Sequence, residues 1–95
     1  MFKPALLEGS DELFKALSEY LGLKRRLEDI LRQYGASSPE DIEAKLRRGE
    51  LPKEKSFEGY RRVYEDLADA IAIQHELAKL EERMERMLKQ PPPRG

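Results

Sequence analysis

Apolar residues recur every three or four positions through three stretches of the chain, and no stretch shows the two-residue alternation of a half-buried strand. The first stretch carries Leu13, Ala16, Leu17, Tyr20, Leu21, Leu27, Ile30, Leu31 and Tyr34 on one stripe. Within it, positions 13, 17, 20, 24, 27, 31 and 34 keep the alternating steps of a packed helical seam. Lys24 stands in the middle of that seam as its one charge. The last stretch divides into two apolar stripes. Tyr60, Tyr64, Leu67 and Ile71 share one helical face, and Ile73, Leu77, Leu80, Met84 and Met87 share another. The stripes overlap around positions 68–73, so this helix has to be covered on more than one side.

Punctuation residues set the predicted boundaries. Residues 1–9 read as an N-terminal arm. Ser10 followed by Asp11 and Glu12 is a helix start, and Gly35 a stop, which predicts a first helix over 10–34. Ser38-Pro39-Glu40-Asp41 opens a short second helix over 38–48, closed by Gly49. Ser56 caps a third helix over 56–90, and the three prolines at 91–93 leave 91–95 as a tail. The expected fold is all-α. It is an antiparallel hairpin of two long helices with a short connecting helix, paired into a homodimeric four-helix bundle. The pairing is expected because a first helix some ten residues shorter than the third cannot cover both of its stripes. The dimer interface is then expected at Leu67, Ile71, Ile73, Leu77, Leu80, Met84 and Met87.

Composition supports this picture. The 95 residues suffice for one domain, and 39% of them are charged. Ala, Leu, Glu, Lys and Arg dominate, which favours helix. The charge-rich, Asn-free and Cys-free make-up resembles that of thermophilic proteins. No cysteine is available for a disulfide or a thiolate metal site, and no apolar run is long enough to span a bilayer. The chain is therefore expected in the cytoplasm, without a membrane partner. Its net charge of −1 gives no overall attraction to nucleic acid.

Candidate chemistry is sparse. His75 is the single histidine, too few for a zinc site without further nitrogen or sulfur ligands. The acid pairs Glu40/Glu43 and Asp66/Asp69 have helical spacing for a divalent cation but no evident second pair at the same level. No two glycines stand close enough for a phosphate loop. No catalytic residue, metal or cofactor is expected. Arg47, Arg48, Arg61 and Arg62 bracket one connection and form the one candidate contact for phosphate or nucleic acid. With the long helices antiparallel and Tyr34 level with Tyr60, Lys24 falls near position 70, so it is expected to pair with Asp69, or with Asp66, within a chain or across the dimer, and so to fix register. The function expected is that of a small protein–protein interaction module, a scaffold, adaptor or regulatory partner, acting through self-association. The alternatives are an antitoxin-like regulator that uses the basic rim at 45–62 to bind nucleic acid, and a small helical-bundle enzyme.

Overall fold

The structure is a computed structural model that describes residues 5–89. Three helices make it up: α1 over Ala5–Gln33, α2 over Pro39–Arg47 and α3 over Phe57–Lys89. No strand occurs among the described residues. The fold is all-α, as the periodicity predicts. The tail predicted at 91–95 lies outside the described residues, as do the first four residues of the predicted arm.

The ends of α2 follow from its sequence. Ser38 accepts a hydrogen bond from the Asp41 amide at 3.1 Å, and the Asp41 carboxylate accepts one from the Ser37 amide at 3.0 Å. Pro39 follows the cap, where no backbone donor is needed. Gly35 and Gly49 both adopt positive φ, 60° and 78°, and turn the chain out of α1 and α2. Ser56 accepts from the Gly59 amide at 3.1 Å and so opens α3.

α1 begins earlier than predicted. Its helix includes Ala5–Ser10, so Ser10 is an internal residue and not the cap. Ala5, Leu6, Leu7 and Glu8 are strong helix formers, and a single glycine at position 9 costs only about 1 kcal/mol. The two long helices therefore differ by four residues, 29 against 33, and the argument from unequal lengths loses its force.

α1 and α3 lie side by side in opposite directions. The Tyr20 hydroxyl donates to Glu81 at 2.7 Å, and the Tyr34 hydroxyl donates to Asp66. Position numbers on the two helices thus sum to 100 or 101 at each level. The sequence reading set Tyr34 level with Tyr60, six residues away from the observed partner. α2 and the loop before α3 account for the difference. Ile42 is fully buried and clusters with Leu51, Val63 and Leu67, with Ile30, Leu31, Tyr34 and Leu46 packed around them. This cluster caps one end of the helix pair, and the other end is open. The result is a rod of 63 × 24 × 17 Å with a radius of gyration of 18.9 Å, against about 13 Å for a compact chain of this size.

Gly59 lies buried in the first turn of α3, beneath the loop. A Cβ there would overlap the carbonyl oxygen of Glu54. Gly59→Ala is expected to lower stability by about 1–3 kcal/mol through overpacking, although alanine is the better helix former. Urea unfolding of the two proteins measures it, and an unchanged midpoint would show that the loop gives way freely.

Burial, followed by the bond to Asp66, pushes the Tyr34 phenol well above its usual value. A phenol of raised pKa favours the folded state while it stays neutral. That stability is complete below about pH 10, the unfolded value, and is lost as pH rises further. Urea midpoints should be flat with respect to this group from pH 7 to 9 and should fall above pH 10. Tyr34→Phe should lower stability at pH 7 by about 0.5–1.5 kcal/mol and weaken the alkaline fall.

Candidate functional site

The contact between the long helices is a regular seam. α1 contributes Leu13, Ala16, Tyr20, Leu23, Leu27 and Ile30, and the turn after it adds Tyr34, all buried or half-buried. α3 contributes Val63, Asp66, Ala70, Ile73, Leu77, Leu80, Met84 and Met87, also buried or half-buried. The steps of three and four keep both lines facing each other along the rod.

A second line runs one residue later on each helix. On α1 it is Phe14, Leu17, Leu21, Lys24, Glu28 and Leu31. On α3 it starts at Phe57 and Tyr60 and continues through Tyr64, Leu67, Ile71, Gln74, Ala78, Glu81, Glu85 and Leu88. Both helices are right-handed and they run in opposite directions, so one step past the seam turns both lines to the same broad side of the pair. A groove of about 440 Å³ at the open end shows this directly. It is lined by Leu13, Leu17 and Tyr20 of α1 and by Glu81, Met84, Glu85 and Leu88 of α3. Among residues 11–89, eight large apolar side chains stand exposed: Phe14, Leu17, Leu21, Phe57, Tyr60, Tyr64, Ile71 and Leu88. All eight belong to this second line.

The other broad side has a different chemistry. One residue before the seam, α1 shows Glu12, Lys15, Glu19, Gly22, Arg26, Asp29 and Gln33. α3 shows Glu58, Arg62, Glu65, Asp69, Ala72, Glu76, Lys79, Arg83 and Arg86. All are exposed, and none is a large apolar residue. The rod therefore has one wetted side and one greasy side.

These lines revise the expected interface. Leu67, Ile73, Leu77 and Leu80 are buried within the single chain, and Met84 and Met87 are half-buried in the same seam. Of the seven residues, Ile71 alone stands 41% exposed on the uncovered side. The sequence reading assigns residues of both α3 stripes to the dimer because it takes the first helix to be too short to cover them.

Lys24 is likewise displaced. It is exposed, beside the seam and not in it, with its ammonium 5.9 Å from the centre of the Tyr20 ring. At the observed register it is level with position 76 or 77. The predicted pairing with Asp69 or Asp66 does not form within the chain: Asp66 accepts the Tyr34 hydroxyl, and Asp69 is exposed on the opposite broad side. The phase was ambiguous because Leu17, Leu21 and Leu31 are as apolar as Ala16, Leu23 and Ile30. One signal distinguishes them. The line 13, 16, 20, 23, 27, 30, 34 contains no charge, whereas the line through 24 does.

The structure brings the arginine doublets to one end but neutralises most of them. Arg47 pairs with Glu43 at 3.3 Å, Arg48 with Glu50 at 2.7 Å, and Arg61 with Glu58 and Glu65 at 2.7 and 2.9 Å. The Arg48 guanidinium holds the Glu50 carboxyl below its usual range. Arg62 points elsewhere, into a cavity of about 570 Å³ that it lines with Arg32, Tyr34, Lys53 and Glu54. The four arginines thus do not form one rim. His75 is exposed on the outer side of α3. Among the described residues no group of three or more His, Asp or Glu is placed to hold a metal ion. No described helix is long and apolar enough to cross a membrane.

No family model, curated protein or solved structure matches this chain.

Proposed function

We propose that this chain is a small helical interaction module that works by self-association, two copies meeting through their uncovered apolar sides as a homodimeric four-helix bundle. One observation carries the reading: every exposed large apolar side chain described lies on one side of the rod, opposite a side that is charged almost throughout. Scattered surface leucines need no explanation, but a continuous apolar face does.

Surface area supports the same reading. The chain exposes 7443 Å², whereas a compact monomer of its mass exposes about 5,700 Å². The excess of about 1,700 Å² per chain is the scale that each partner of an obligate dimer buries. A second copy is the occupant that needs no further component and whose surface has the right chemistry. In the bundle each hairpin would supply the layer that the other lacks. The module assigns no catalytic step to either copy. It would operate in the cytoplasm, where a cysteine-free chain suits reducing conditions. The charged outer side stays free for a further protein partner.

Sedimentation equilibrium tests the proposal. The wild type should be a dimer at micromolar concentration. Leu21→Asp and Ile71→Asp alter residues that are 54% and 41% exposed in the single chain. They should yield helical monomers or weaken association at least about a hundredfold, since each strands a charge in the dimer's core. Leu77→Asp, in the seam within the chain, should instead abolish folding. A fully helical wild-type monomer at high micromolar concentration would overturn the reading.

A further inference from the structure

We infer that the two copies meet in one register, antiparallel, with the two-fold axis at the level of Gln74. Each Lys24 then pairs with Glu28 of the other copy. This rests on the self-association proposed above and adds to it the geometry of the pairing.

Charge supplies the first centre. Lys24 and Glu28 are the two charges on the apolar line of α1, and they stand one turn apart. If two copies of α1 pack antiparallel about position 26, Lys24 meets Glu28 twice, and Leu21 meets Leu31 twice. Packing about most other positions leaves these charges against leucine or against themselves. Neither residue has an ion pair within the described chain, so both are available.

α3 supplies the second centre independently. Its line is aromatic and apolar at one end and carries Glu81 and Glu85 toward the other. Folding it back on itself about Gln74 sets Leu88 against Tyr60, Glu85 against the Tyr64 hydroxyl, and Ala78 against Ile71, small against large. Gln74 meets its own copy, and a primary amide both donates to and accepts from another.

The two centres coincide. The bonds Tyr20–Glu81 and Tyr34–Asp66 place position 26 of α1 level with 74 or 75 of α3. One two-fold axis lying in the interface, across the rods, therefore satisfies both helices at once. The antiparallel register sets one of the two acids, Glu81, over an apolar residue, Leu67, whereas a parallel arrangement, with α1 of one copy over α3 of the other, lays both Glu81 and Glu85 on Leu21 and Leu17. Charged residues on an apolar face specify register in just this way, at some cost in affinity.

Two experiments on the full chain test the register. Lys24→Glu and Glu28→Lys should each associate at least about tenfold more weakly than the wild type, because each homodimer holds two like-charge pairs. Mixed together they should form the heterodimer well above the statistical half, because its two pairs are again opposite in sign. A pairing confined within one chain produces no such preference. Second, the sequence has no cysteine, so Gln74→Cys should oxidise to a disulfide-linked dimer. Leu88→Cys should link to Tyr60→Cys in a mixture and not to itself. A wild-type dimer whose Gln74→Cys form stays unlinked, or whose charge variants mix statistically, overturns this register and leaves self-association standing. A wild-type monomer overturns both.

Discussion

The register between α1 and α3 depends on the cap at one end of the rod. Seams built from Leu, Ala and Ile on a heptad spacing slide by one repeat at modest cost, since each layer resembles the next. What forbids sliding here is Ile42. It is fully buried against Leu51, Val63 and Leu67 and is tied covalently to the end of α1 by a five-residue turn. The bond from Tyr34 to Asp66 sits beside that cluster and adds a polar contact that a shifted seam would break. Deep in an otherwise apolar seam, a half-buried carboxylate without its phenol donor would be costly. α2 is therefore less a connector than the device that fixes how the two long helices face each other.

From that register the two sides of the rod follow. Once the charge-free lines are locked together, the residues one step later on both helices have to share a side, and so do those one step earlier. The same turn of the helix that brings Phe14, Leu21, Ile71 and Leu88 together gathers Glu19, Arg26, Glu76 and Arg83 opposite them. The short-range ion pairs, such as Arg61 with Glu58 and Glu65, sit on exposed faces where water screens them and each contributes little. They keep the outer surface solvated; they do not hold the fold.

Much of this was legible in the sequence. The three helices and the turns at Gly35, Gly49 and Ser56 follow from local chemistry: a serine that caps, a proline that needs no donor, a glycine that reaches positive φ. The fold class follows from periodicity. The start of α1 did not, because Ser10 has the side chain of a cap but the residues before it are good helix formers and the helix continues through it. Register and seam phase were out of reach for a different reason. Both depend on how far the loop from Arg48 to Ser56 carries the chain before α3 begins, which is decided by the burial of Leu51 and by the close passage of Glu54 over Gly59. No local pattern encodes that distance. The same six-residue error displaced the expected partner of Lys24.

A rod capped at one end also has a direction in which it assembles. Joining Tyr34 to Asp66 closes a segment of 32 residues that already contains α2, whereas joining Tyr20 to Glu81 first would close one of 61. Closing the longer segment costs more chain entropy, but once the shorter one is shut each further layer adds only a few residues to the loop. The helices should thus zip from the Ile42 cluster outward and fray in reverse, beginning where Leu13 is level with Met87. Amide protection should fall steadily along the rod from the cap to the open end. The same asymmetry would make the open end the part most stabilised by anything that lies across it.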